Sequence, residues 1–163
     1  MSNYIDIRST IKSGDMIALK RPTTWFAKSV SFITGSEYFH VGIALWINDR
    51  LLLAQMEPTG DNLVPLSQYT EFDVFECPKR TIGVEQFTWQ ILNNHIPYSF
   101  ADLFKAAINI LFHMKLPQTP GCLVCSEMVE FIYKQCGWVT EYDGIPTPAS
   151  LAKKLTLKAQ VTT

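Results

Sequence analysis

The chain has 163 residues, 47% hydrophobic and 18% charged, which is enough apolar material for one globular domain with a real core. Its formal net charge of -1 offers no general attraction to nucleic acid or anionic lipid. The composition predicts a neutral, soluble single domain over 1–163 that has no nucleic-acid partner.

The first residues, MSNYIDIRSTIKSGD, lack a basic segment followed by an apolar one, so no signal peptide is expected. No window reaches the roughly 18 apolar residues that span a bilayer, and no stable membrane insertion is expected. GDMIALKR (14–21) reads as a short strand, and TTWFAKSVSFITG (23–35) as a helix or an irregular segment. HVGIALWINDRLLLAQME (40–57) has two apolar runs flanking Asn48-Asp49, a hairpin signal. LVPLSQY supplies a turn and DVFECP a strand near 72–77. Helical periodicity follows over 85–95 and 99–114, where the apolar stretch 100–114 is interrupted by Asp102, Lys105 and Asn109. KLPQTPG is a loop, and CSEMVEFIYKQCG (125–137) is a helix that stops at Gly137. Strands followed by helices predict an α+β fold with an antiparallel sheet packed against helices.

The last of these helices carries the chemistry. Cys125, Met128, Val129, Ile132 and Cys136 share one face, while Glu127, Glu130 and Lys134 lie elsewhere, with Glu130–Lys134 an i,i+4 pair. Cys125 falls in or near the first turn, where free N–H groups and the helix dipole lower a thiol's pKa. Three readings stay open for it: a buried structural thiol, half of a C-x-x-C metal or redox pair with Cys122, or a nucleophile. No second C-x-x-C or C-x-x-H completes a zinc site, and Cys77 and Cys136 read as packed thiols. Four cysteines without an export signal suggest a reducing, cytoplasmic setting.

A cysteine nucleophile needs a base. Of three histidines, His95 reads as a surface or capping residue and His113 as a helix-end charge. His40 opens an apolar strand and needs a polar partner there. With a two-residue Asn48-Asp49 turn, Ile47 pairs with Arg50, Gly42 with Gln55 and His40 with Glu57. His40, Gly42, Gln55 and Glu57 then share one face, and Gly42 leaves room there for something to approach. A one-residue slip would destroy this arrangement.

The segments SGDMIAL, SEYFHVGIAL, LLLAQMEPTGDNLVPLS, LVCSEMVEFIYKQCG and TPASLAKKL occur in an order that resembles the circularly permuted NlpC/P60 families. These are papain-like cysteine hydrolases related to lecithin-retinol-acyltransferase-like proteins. The resemblance covers roughly residues 13 to 155 and implies a permuted papain-like fold. It implies Cys125 as nucleophile, His40 as general base and Gln55 as the third polar member, where many relatives have Glu; Glu57 is the alternative. It also implies Tyr38 as a cleft-lining residue, against an ordinary strand aromatic, and a structural place for Glu127. No cofactor or metal is implied. The implied activity is cleavage of an amide bond, with a peptidoglycan stem-peptide endopeptidase as the most familiar form and a phage-encoded lytic factor as one setting. The alternatives are a lipid or acyl-protein thioesterase or acyltransferase, or an inactive binding module. The implied partners are a peptide, a peptidoglycan fragment or an acyl substrate.

Overall fold

A computed structural model describes residues 3–22, 28, 31–32, 35–112, 116–139 and 144–162, and side chains within helices except those of 109–112. Most of the 23–35 segment, together with His113, lies outside the described residues. Six strands form one antiparallel sheet: β1 (Met16–Leu19), β2 (His40–Ile47), β3 (Arg50–Glu57), β4 (Gly60–Pro65), β5 (Phe72–Phe75) and β6 (Leu157–Val161). Their spatial order is β4-β3-β2-β1-β5-β6. The described α-helices are α1 (Tyr4–Ile7), α2 (Ile82–Asn94), α3 (Phe100–Phe112), α4 (Cys125–Gln135) and α5 (Pro148–Lys154). The fold is α+β with an antiparallel sheet, and no described helix is long and apolar enough to cross a membrane.

Alternation along each strand divides the core. Met16, Ala18, Val41, Ile43, Leu45, Ala54 and Met56 pack with α2 and with Met128, Val129 and Ile132 of α4. Ile17, Leu19, Ala44, Leu51, Leu53, Phe72 and Val74 face the other way, where Ile7 and Ile11 from the N-terminal segment cover them. Burying a side chain of this size contributes about 1.5–3 kcal/mol, so the two clusters fix which way every strand faces.

The Asn48-Asp49 turn sets the register as the sequence predicts. The β2–β3 ladder runs from Ile47↔Arg50 to Gly42↔Gln55, and Asn48 takes the left-handed φ of 52° that such a turn favours. β4 was not expected. A second two-residue turn, Pro58-Thr59, returns the chain so that Glu57 pairs with Gly60 and Gln55 with Asn62. β6 pairs antiparallel with β5 at the far side of the sheet. Gly137 follows α4 at φ 83°, the stop read from the sequence.

Asp15, in the turn before β1, joins distant parts of the chain. It is fully buried and accepts from the backbone N–H groups of Lys12 and Cys77 and from the side chains of Arg80 and Lys158. Burial opposes its charge, but these donors hold its carboxyl below the usual range.

Candidate active site

Cys125 is the first residue of α4, following Val124 in extended conformation. The adjacent segment is strapped down. Ser99 N–H donates to Leu123 O at 3.0 Å, Leu123 N–H donates to Pro97 O at 3.1 Å, and Ser126 Oγ donates to Pro146 O at 2.7 Å. Farther along α4, the Tyr133 hydroxyl donates to Gly14 O at 2.7 Å. The nucleophile candidate thus stands on a helix anchored at both ends, which limits the geometries it can adopt.

Its neighbour is His40. The β2–β3 ladder stops at Gly42↔Gln55, two residues after β2 begins at His40. His40 interacts electrostatically with Cys125, and the backbone N–H groups of Val41 and Ser126 also favour the charged form of the sulfur. Burial favours the neutral thiol, but the His40 charge and these donors outweigh it and lower the Cys125 pKa. Burial likewise opposes the His40 cation, while Cys125, Glu57 and Gln55 raise its pKa. The two shifts agree in sense: each group favours the charged form of the other. Cys125 keeps 7% exposure and His40 is half-buried.

The next shell fixes the ring. His40 Nε2 lies 3.0 Å from Gln55 Oε1, and Gln55 Nε2 donates to Glu57 Oε1 at 3.1 Å. A carboxylate only accepts, so Glu57 determines which end of the amide is NH₂. The Gln55 oxygen must then face His40, Nε2 must carry a proton, and Nδ1 is left for the sulfur. Asn62 Nδ2 donates to Glu57 Oε2 at 2.8 Å, and the Tyr69 hydroxyl lies within hydrogen-bond distance of both ends of the Gln55 amide. Of the two candidates for third member, Gln55 touches the imidazole and Glu57 touches Gln55. Gln55 is 1% exposed, so this amide works away from water.

One expectation needs correction. The room beside Gly42 is taken by the protein itself: an added Cβ would lie 2.5 Å from Ala54 O and 2.7 Å from Leu53 Cδ1. Tyr38 sends its hydroxyl to Asp73 and sets its ring edge-on to Phe75 at 5.9 Å, so it anchors the chain entering β2. Burial first, then Asp73, raises the Tyr38 pKa. Glu127 and Glu130 are both buried. The Glu130–Lys134 pair does form, at 2.8 Å. His95 is exposed, caps α2 in the left-handed region and pairs with Asp61 at 3.5 Å. Cys122 is half-buried and all four cysteines are free. No cluster of three or more His, Cys, Asp or Glu able to hold a metal occurs among the described residues.

Tyr98, Tyr69 and Asn62 escaped the sequence reading. Tyr98 pairs with Leu123 in an isolated parallel bridge and interacts electrostatically with Cys125 and Glu127. Burial, then those two charges, raises its pKa. A tyrosine just after the helix-breaking IP pair was its only local signal.

No family model and no curated protein match this chain. Solved structures do. The crystal structure of metalloprotein YiiX from Escherichia coli O157:H7 is similar at a TM-score of 0.58 and 19% identity, covering 93% of this chain and 88% of that one. At this identity the likeness establishes a shared α+β fold and nothing about residues or activity.

Proposed function

We propose that this protein is a cysteine hydrolase of the permuted NlpC/P60, papain-like type, cleaving an amide bond through Cys125, His40 and Gln55. One observation carries the reading: a thiol at the first residue of a helix interacts with an imidazole whose Nε2 is held by a buried amide. A merely packed thiol has no use for an oriented histidine, and a C-x-x-C site has no use for the Gln55–Glu57 chain.

The chemistry follows. The Cys125 thiolate attacks the carbonyl carbon, forming a C–S bond and an oxyanion that the backbone N–H groups at the start of α4 stabilise. His40 gives its proton to the departing amine as the C–N bond breaks, leaving a thioester on Cys125. The now neutral His40 takes a proton from water, the resulting hydroxide equivalent attacks the thioester, and the C–S bond breaks to release the acid and restore the thiolate. Gln55 holds the ring through its oxygen and supplies no charge of its own. Peptidoglycan stem peptides are the leading substrate class, and a reducing compartment suits the free thiols.

A second reading has its own observation. Phe104 is 69% exposed, one turn along α3 from the exposed Phe100, whose ring meets Tyr98 edge-on at 5.1 Å. This apolar ledge beginning beside the site favours a lipid or acyl-protein substrate, with water or an alcohol as acceptor. Incubating the purified chain with peptidoglycan fragments, acyl lipids and acylated peptides, then searching for an adduct on Cys125 by mass spectrometry, separates the two. Cys125→Ala and His40→Ala are each expected to lower turnover by about 10⁴-fold or more with the fold intact. Full activity in both variants removes the enzyme reading, and uniformly slow alkylation of all four cysteines favours a binding module.

A further inference from the structure

The first turn of α4 holds a buried acid that none of these steps uses. Glu127 lies two residues after Cys125 and is 1% exposed. Its Oε2 accepts from the Val124 N–H at 2.8 Å. Val124 has no side-chain acceptor, so only the Glu127 half of a capping box exists here. Its Oε1 is buried without a hydrogen-bond partner among the described residues. An orphaned oxygen of this kind is costly when charged, and less so when it carries a proton.

The charged and titratable groups around it come from three elements. Glu130 and Cys125 share α4, Asp102 and Lys105 stand on α3, and Tyr98 precedes α3. Asp102 is fully buried and tied to the Thr119 N–H and hydroxyl and to Lys105, so that lysine is already engaged. Burial pushes the Glu127 carboxyl up, the Val124 N–H opposes this, Asp102 and Glu130 add to it, and Lys105 opposes; the result is about 7. Tyr98 interacts with the charges of both Glu127 and Cys125.

We propose that Glu127 is a positioning residue for Cys125: it clamps the first turn of α4 through Val124, and its proton sets how much negative charge confronts the sulfur. The neutral acid favours the thiolate, and the ionised acid opposes it. The proposal rests on Cys125 being the nucleophile, and the test separates the two ideas.

The measurement is iodoacetamide labelling of the full chain from about pH 5 to about pH 9, resolved by site with mass spectrometry. Glu127→Gln keeps an acceptor for Val124 and carries no charge. It is expected to label Cys125 about threefold to tenfold faster than the parent near neutral pH, with the rise displaced to lower pH. Glu127→Ala loses the clamp as well. It is expected to label more slowly than Glu127→Gln throughout and to melt about 3 °C lower. A Glu127→Gln profile that superimposes on the parent overturns the charge role, and matching rates and melting temperatures for the two variants overturn the clamp. If His40→Ala leaves Cys125 labelling unchanged and Cys122 labels equally fast, the nucleophile reading itself fails, whatever the Glu127 variants do.

Discussion

The amide at position 55 stands between the His40 imidazole and the Glu57 carboxyl group, and this permits a sharp test of the site's electrostatics. His40 Nε2 is 3.0 Å from Gln55 Oε1, and Glu57 Oε1 is 3.1 Å from Gln55 Nε2. In Gln55→Glu, one new carboxylate would attract the imidazolium and repel Glu57 at nearly equal distances. At an effective dielectric near 20, each interaction is about 5 kcal/mol, so the two cancel to within a few tenths. Glu57 thus offsets the hold of the new acid on the imidazolium, and His40 gains little. In the double variant Gln55→Glu, Glu57→Gln the repulsion is gone and the attraction remains. NMR titration of the His40 ring is the assay, with resonances assigned through His40→Ala. The expected order of His40 pKa is Glu57→Gln below the parent, Gln55→Glu close to the parent, and the double variant clearly highest. If Gln55→Glu alone rises as far as the double variant, Glu57 does not face position 55 as a carboxylate, and the relay described above is wrong.

The paired shifts predict that activity appears as Cys125 loses its proton, below the ordinary thiol range, and declines as His40 loses its own, above the ordinary imidazole value. A pH–rate profile without an alkaline limb above the free imidazole range would contradict the ion pair. Gly42→Ala should lower unfolding free energy by about 1–3 kcal/mol in denaturant titrations, since its Cβ would collide with Ala54 O and Leu53; unchanged stability would mean that the β2–β3 spacing is wrong. Asp15→Asn should destabilise the fold by about 3 kcal/mol at neutral pH. Because the folded Asp15 pKa is depressed, this difference is present above the unfolded value and disappears as pH falls through the folded one. Parent and variant that remain equally far apart in strong acid would exclude Asp15 as its source.

The part of the site that was legible in the sequence was the part governed by short-range rules. Asn48-Asp49 fixed a hairpin register by local turn geometry, and that register carried Gln55 to His40 without any knowledge of the rest of the fold. The spacing of Cys125, Met128, Val129 and Ile132 likewise predicted the buried face of α4. β4 was missed because its turn, Pro58-Thr59, lacks the usual Asn-Gly or Asp-Gly pattern and its strand ends in Pro65, a residue tolerated only at sheet margins. The burial of Glu127 and Glu130 has no local signal in the sequence. Charges off a helix's apolar stripe ordinarily meet water, whereas Glu127 is buried and interacts with Asp102 and Lys105 on α3. Gly42 misled because an absent side chain reads the same whether a ligand or a neighbouring strand needs the space.

Lys158, on the last strand, reaches back 2.8 Å from a carboxylate that precedes the first. β6 therefore works as a clasp. Losing it would leave β5 as a raw margin of the sheet and strip a cation from Asp15, next to the strand that carries the His40 pairing. Damage near residue 158 would thus be felt around residue 15, and a chain emerging from synthesis cannot settle that buried charge until residue 158 has been made.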